Sequence, residues 1–375
     1  MTTIDDQQYM ARALGLAHRG LYTTHPNPRV GCILVRNGNI VGEGWHERAG
    51  EAHAEVNALR QAGPLARGAT AYVTLEPCCH HGRTPPCTDA LIDAGINRVV
   101  AAMQDPNPLV AGKGMGRLGE AGMETVVGVM EAQARGLNPG YLQRMEFGRP
   151  FVRCKLAMSL DGRTAMASGE SKWITGTEAR QDVQRLRARS SAILTGIGTV
   201  LADDPSLNVR YDEMGEVEVG GPDLIQPLRI VLDSALKMPV SACMLKQAGS
   251  TLVVTASSDQ WRKKLLLDAG AEVEELPAGP DRVDLHALMT ALARRQINEV
   301  LIEAGAVLSG AMLCAGLIDE LIVYLAPHLM GNQGRGLFNM PDIGQMAQRV
   351  PLHIQDIRAV GDDWRITCKV GESAG

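Results

Sequence analysis

The sequence predicts two consecutive α/β domains, a three-layer one over residues 1–145 and one built on a mostly parallel, doubly covered sheet over residues 146–375. Three observations predict this. Short strand-like runs alternate with helical patterns along the chain. Four cysteines (Cys32, Cys78, Cys79, Cys87) crowd the first quarter, while glycine turns follow the strands of the second half. And 375 residues, 45% of them hydrophobic, are enough for two or three domains.

Taken in order, residues 5–20 read as a helix, with Met10, Leu14 and Ala17 at helical spacing and Gly20 as the stop. Residues 30–36 and 40–44 make a hairpin about Asn37-Gly38. A helix runs from His53 through Gln61 with Val56 and Leu59 inward, followed by a strand at 70–75 that Pro77 ends. Pro85 and Pro86 stiffen a loop before a helix from Cys87 through Ala94, and strands follow at 98–103 and 126–129. Residues 138–150, with Pro139, Gly140, Gly148 and Pro150, read as the linker. Beyond it, strands at 151–157, 192–195, 228–232, 251–255 and 299–302 alternate with helical patterns, the rhythm of a parallel sheet that binds ligands at its strand C-terminal ends.

The chemistry concentrates in His53-Ala54-Glu55 and in Glu76-Pro77-Cys78-Cys79-His80-His81-Gly82-Arg83-Thr84-Pro85-Pro86-Cys87. One imidazole and two thiolates, from His53, Cys78 and Cys87, suit Zn²⁺ and leave a fourth position for a water whose pKa falls to about 7. Glu55 then serves as proton shuttle, the pattern of a zinc-dependent hydrolytic deaminase. Residues two apart on a helix point about 200° away from one another, so His53 must lie at the helix start to share a site with Glu55. Two plainer readings stand beside this one: a closed structural zinc site with Cys79, His80 or His81 as fourth ligand, and reduced core cysteines with no metal. Eight residues separate Cys78 from Cys87 where the general pattern has two, which points to a subgroup with an elaborated loop.

A net charge of -5 with 3% aromatic residues offers no basic or stacking surface for nucleic acid, so a small molecule is the expected substrate. The N-terminus carries Asp5 and Asp6 where a signal peptide is basic, and the longest apolar stretch, around 306–318, is too short to span a bilayer. These features and the cysteine usage predict a cytoplasmic protein in which Cys154, Cys243, Cys314 and Cys368 are core filler. The G-x-G-x-x-G match at Gly114-Met115-Gly116-Arg117-Leu118-Gly119 lies too far from its preceding strand to be a cofactor loop. Thr195-Gly196-Ile197-Gly198 and Glu303-Ala304-Gly305-Ala306 are better placed for a dinucleotide pyrophosphate. Arg185, Arg187 and Arg189 read as a solvated helix surface with Arg187 alone turned inward.

Thr24-His25-Pro26-Asn27-Pro28-Arg29-Val30-Gly31, His53-Ala54-Glu55, the Cys78 to Cys87 loop, Asp105-Pro106-Asn107-Pro108, and Gly112-Lys113-Gly114 resemble the bifunctional riboflavin-biosynthesis deaminase-reductases. So do Lys155-Leu156-Ala157-Met158-Ser159-Leu160-Asp161-Gly162, Trp173-Ile174-Thr175-Gly176, Asp203-Asp204-Pro205 and Glu303-Ala304-Gly305. The resemblance implies a cytidine-deaminase-like domain followed by a dihydrofolate-reductase-like one. It implies zinc deamination of a diaminopyrimidinone carrying a phosphoribosylamino group, then NADPH reduction of the ribosyl group to ribityl. Asn27, His46, Asp105 and Asn107 are expected at the pyrimidine, and His80 and Arg83 at its phosphate, although Asn27 and Asn107 before prolines also suit plain turns. In the second half the resemblance implies Lys155, Asp203 and Glu303 as ionisable reacting groups, with Ser171, Arg187, Leu207 and Arg210 also around the substrate. Ala157, Trp173, Thr175, Thr199, Ser234, Gly305, Ala306, Val307, Leu308 and Ser309 would face NADPH, together with Asp203. Two rivals are a polynucleotide base deaminase and a non-catalytic zinc and nucleotide-binding regulator. Self-association is left open.

Overall fold

A computed structural model describes residues 4–81, 85–216, 224–278 and 282–371. They form two compact units, the first reaching Gly148 and the second beginning at Arg149. In the first, α1 (Ile4–His18), β1 (Gly31–Arg36), β2 (Asn39–Trp45), α2 (Ala54–Ala62) and β3 (Thr70–Val73) are followed by α3 (Cys87–Asp93), β4 (Arg98–Ala101), α4 (Lys113–Glu120), β5 (Glu124–Val127), α5 (Glu131–Leu137) and α6 (Pro139–Phe147). The strand order is β2-β1-β3-β4-β5, with β1 antiparallel to both neighbours and β3 to β5 parallel. Alternation along the strands builds the three layers. Cys32, Leu34, Ala71, Val73 and Val99 pack under α2, α3 and α4, while Ile33, Val35, Tyr72 and Val100 pack against α1, α5 and α6.

The inner face of α2 is mainly alanine: Ala54, Ala58 and Ala62 are buried, Leu59 packs half-buried against the same cluster as expected, and Val56, also half-buried, is not part of it. Small residues are required there because the helix lies on glycine. A Cβ at Gly42 would stand 2.3 Å from the Ala58 carbonyl oxygen, and one at Gly44 2.4 Å from that of Ala54. This close approach sets the height of Glu55 and His53 above the sheet.

The expected linker at 138–150 is also corrected. Its Pro139 opens α6 as an N-terminal proline, and Gly148, at φ 68°, ends it. Asn138 is buried, its side chain accepting from Arg29 N–H at 2.8 Å and donating to Arg29 C=O at 2.9 Å, as a neighbouring strand would.

The second unit comprises β6 (Phe151–Ser159), α7 (Thr177–Arg189), β7 (Ala192–Gly196), α8 (Ile197–Asp203), β8 (Leu228–Leu232), β9 (Thr251–Thr255), α9 (Gln260–Asp268) and β10 (Glu272–Glu275). After these come α10 (Leu285–Arg294), β11 (Glu299–Ile302), α11 (Ala306–Cys314), β12 (Glu320–Ala326), β13 (Leu352–Val360) and β14 (Asp363–Val370). Its sheet runs β10-β9-β8-β7-β11-β6-β12-β14-β13, parallel from β10 to β12 and antiparallel at β14 and β13. Val152, Cys154, Leu194, Ile230 and Val300 face α10 and α11, whereas Leu301, Ile322 and Tyr324 face α7. Lys155 and Ala157, alternating with Cys154 and Leu156, therefore lie on the α7 side.

The α7 surface is less solvated than its arginines suggested. Arg185 donates to the Met214 carbonyl at 2.7 Å, Arg189 pairs with Glu299 at 3.7 Å, and all three arginines are half-buried. Of the four scattered cysteines, Cys154 and Cys368 are core, Cys243 is half-buried and Cys314 is exposed, so the core-filler reading fails for the last two. No helix among the described residues is long and apolar enough to cross a membrane.

Candidate active sites of the two units

His53 is the N-cap of α2, extended at φ −75° and ψ 165°, and makes no side-chain cap bond. Its ring is thereby free to turn to the same side as Glu55 in the first turn, which continuous helical phase would forbid. Cys78 follows β3 and Pro77; Cys87 begins α3, where its N–H donates to the Cys78 sulfur at 3.3 Å. The potential ligand atoms of His53, Cys78 and Cys87 all lie within 4.8 Å of one another, with His53 Nδ1 3.2 Å from Cys87 Sγ and 3.6 Å from Cys78 Sγ. Metal bonds of about 2.0 Å to nitrogen and 2.3 Å to sulfur put tetrahedral ligand atoms roughly 3.5 Å apart, so one imidazole and two sulfurs at these separations fit zinc. Cys79 turns elsewhere, its thiol 3.9 Å from the Leu109 carbonyl.

The electrostatics agree with this donor set. A hydrogen bond from Cys87 brings the Cys78 thiol down to about 4, and the same bond, followed by burial, pushes Cys87 up. Glu55, 3% exposed, has its carboxyl raised by burial. It keeps a proton more readily than an exposed glutamate.

Beside the cluster, the His46 ring meets His53 edge-on with centroids 5.2 Å apart. His46 Nδ1 faces the Ala52 carbonyl at 3.2 Å and must carry the proton, which leaves Nε2 to accept from Asn27 Nδ2 at 3.0 Å. His46 thus borders the His53/Cys78/Cys87 cluster, with Asn27 hydrogen-bonded to it. Asp105 and Asn107 are engaged by their own loop and by α6: Asp105 accepts from Asn107 N–H and from Tyr141 Oη, each at 2.9 Å, and Asn107 accepts from Leu109 N–H at 3.1 Å. His80 Nδ1 is buried without a hydrogen-bond partner among the described residues. Arg83 lies outside the described residues.

In the second unit, three of the expected groups meet on the α7 side of the sheet. Glu303, just beyond β11, accepts from Arg187 Nε at 2.6 Å and Arg187 Nη2 at 2.9 Å. Burial raises the Glu303 carboxyl, but Arg187 and Lys155 outweigh it and hold the net value below the ordinary one. Burial also lowers the Lys155 ammonium, against the attraction of Glu303. Asp203, ending α8, pairs with Lys172 at 3.7 Å. Trp173 is 74% exposed with Arg180 stacked 4.8 Å above its ring, and Arg180 donates to the Thr175 carbonyl at 2.8 Å. Leu207 is buried at φ 46°, Arg210 is paired with Glu213 at 2.6 Å, and Ser171, Thr199 and Ser234 are half-buried.

The strand ends carry polar groups that motif reading did not single out. Thr195 and Asp233 are fully buried, yet Thr195 Oγ1 and Asp233 Oδ1 have no hydrogen-bond partner among the described residues. Gly305 caps α11 without a side-chain bond, so the first-turn amides of Ala306, Val307 and Leu308 lack a capping side chain, while Ser309 is buried behind them. Unsatisfied buried oxygens at the ends of β7 and β8, and an uncapped helix start after β11, suit a polyhydroxylated, phosphate-bearing cofactor.

A fold with a His/Cys/Cys cluster and buried glutamate in one unit, and an ionisable cluster at the strand ends of the other, defines a two-site enzyme. Residues 3–103 match the cytidine and deoxycytidylate deaminase zinc-binding region, and residues 150–366 match the RibD C-terminal domain. The chain is 53% identical over 367 residues to the riboflavin biosynthesis protein RibD of Escherichia coli strain K12, covering 96% of this chain and 98% of that one. It is 51% identical to the RibD of Haemophilus influenzae, covering 96% of each. Among solved structures, Acinetobacter baumannii RibD superposes with a TM-score of 0.90 at 47% identity, covering 98% of this chain and 99% of that one. A Thermotoga maritima diaminohydroxyphosphoribosylaminopyrimidine deaminase/5-amino-6-(5-phosphoribosylamino)uracil reductase does so with 0.84 at 30%, over the same shares. The chain belongs to the RibD family of riboflavin-biosynthesis proteins. It joins a zinc deaminase to an NADPH-dependent reductase, and family membership favours neither the polynucleotide deaminase nor the regulator.

Proposed function

We propose that the first unit deaminates a diaminopyrimidinone bearing a phosphoribosylamino group and that the second reduces the ribosyl group of the deaminated product to ribityl. The observation that carries the reading is the convergence of His53 Nδ1, Cys78 Sγ and Cys87 Sγ beside the buried, proton-retaining Glu55. Zinc bound there supplies Lewis-acid activation of water near neutral pH. With the metal in place, Glu55 would carry a proton from the attacking water to the departing amino group, which leaves as ammonia. Its burial favours the protonated form that the second transfer needs. Asn27, its amide held by His46 Nε2, orients the pyrimidine ring beside the His46 imidazole, with Asp105 and Asn107 shaping the pocket wall. His80, whose buried Nδ1 has no partner among the described residues, and Arg83 take the phosphate.

In the second unit, NADPH supplies hydride when bound. Ala157, Trp173, Thr175, Thr199, Asp203, Ser234 and Gly305 to Ser309 hold it, with the buried oxygens of Thr195 and Asp233 available to its hydroxyls. Lys155 and Glu303 manage the proton released or taken up as the sugar opens, and Arg187 fixes Glu303 through two parallel hydrogen bonds. Ser171, Leu207 and Arg210 complete the substrate pocket. We assign the deaminase to residues 1–145 and the reductase to residues 146–375. The eight free cysteines fit a reducing, cytoplasmic setting. Purified protein given the phosphoribosyl diaminopyrimidine should release ammonia and then oxidise NADPH. Ammonia release without NADPH oxidation, or the reverse, would refute the paired assignment.

A further inference from the structure

Glu76 is 3% exposed, and its carboxylate accepts three backbone N–H groups: Asp105 at 3.2 Å and Gly112 at 2.9 Å on Oε2, and Met115 at 3.1 Å on Oε1. No cation is among these hydrogen-bond partners. A buried carboxylate satisfied by amides draws together whatever carries those amides. Here they come from the loop after β4, from the residue capping α4 and from the first turn of α4, while Glu76 itself immediately precedes Pro77-Cys78. The same junction is sterically closed. A Cβ on Gly114 would lie 2.1 Å from the Pro77 carbonyl oxygen, so only glycine lets α4 press against the turn that presents Cys78. Asp105, tied to Glu76 through its N–H, is in turn held by Tyr141 of α6. One carboxylate therefore links the turn bearing a proposed metal ligand, the α4 start and the loop proposed to wall the substrate pocket.

We propose that Glu76 is a positioning residue for the deaminase site, holding Cys78 in ligating geometry and coupling zinc occupancy to the order of the Asp105 to Asn107 loop. This rests on reading His53, Cys78 and Cys87 as the ligands. It adds a residue that touches neither metal nor substrate and acts through backbone amides.

The test is Glu76→Gln, which keeps the side chain's shape but replaces one oxygen by an N–H₂ that cannot accept. Zinc release from the full chain to a chromogenic chelator should quicken, with zinc affinity falling about 10-fold to 100-fold, as for other groups that orient metal ligands. The zinc-dependent part of the thermal stability should shrink while the metal-free melting temperature stays close to wild type. Equal losses of stability with and without zinc, at unchanged zinc affinity, would make Glu76 a plain structural group and overturn the proposal. Should the variant not fold, hydrogen exchange of the wild type decides. Zinc removal should speed exchange at Asp105, Gly112 and Met115 more than at the amides of α1, and equal exchange there with and without zinc would overturn the coupling. A wild-type protein that binds no zinc refutes the ligand assignment itself, which is a separate outcome.

Discussion

The two units position their reacting groups by different physics. In the first, the proposed ligands from a helix cap, a strand end and a helix start are brought together by small residues and backbone amides: alanines of α2 on Gly42 and Gly44, Gly114 on Pro77, and three N–H groups on Glu76. In the second, Glu303 and Arg187, 116 positions apart, are joined by a largely buried two-bonded ion pair, with Lys155 held in the same field. The first site should therefore be sensitive to added volume and the second to removed charge.

The largest effect should come from the residue of the first unit proposed to carry the proton. Glu55→Gln should keep about one zinc per chain while ammonia release falls about 10²-fold to 10⁴-fold. Zinc loss, read by metal analysis, would make Glu55 a ligand and erase the distinction between ligand and proton carrier. Next, Arg187→Met leaves Glu303 buried without its partner. It should depress reduction and destabilise the second unit by about 3 kcal/mol, measured by denaturant unfolding. Deamination should be spared. The reciprocal volume test is Gly44→Ala, whose Cβ would meet the Ala54 carbonyl oxygen at 2.4 Å. It should destabilise the first unit by about 2 kcal/mol and depress deamination more than reduction.

The smallest effect is one of pH. With its net value held below the usual 4.5 by Arg187 and Lys155 against burial, Glu303 contributes stability that is full above 4.5 and disappears as the pH falls through its lowered folded value. Glu303→Gln should flatten that acid loss in the second unit's unfolding. An unaltered acid profile would show that the ion pair does not stabilise the fold.

The same contrast explains what was legible in the sequence. His53, Glu55, Cys78 and Cys87 are readable because their chemistry requires particular residue types at particular offsets. The strands at 228–232, 251–255 and 299–302 are readable because buried parallel strands are continuous apolar runs. β13 was not, since all but its last residue are exposed and Leu352 to Val360 mixes apolar and polar residues without a buried face. β12 and β14 passed unread too, as did α4 and α5 in the first unit. α6 was misread because Pro139 is a breaker inside a helix and a starter at its first position, and only tertiary context separates the two. Glu76 left no motif because its partners are backbone amides that every sequence possesses. The meeting of Arg187 with Glu303 is a product of the parallel sheet, which places the end of β11 beside α7.

The central claim is that the two chemistries are independently housed, and Cys87→Ala tests it most directly. Losing one sulfur of the His53/Cys78/Cys87 cluster should abolish ammonia release. The folded variant, verified by circular dichroism, should still reduce supplied phosphoribosylaminouracil with NADPH at the wild-type rate. Loss of that reduction in a folded variant would contradict the claim.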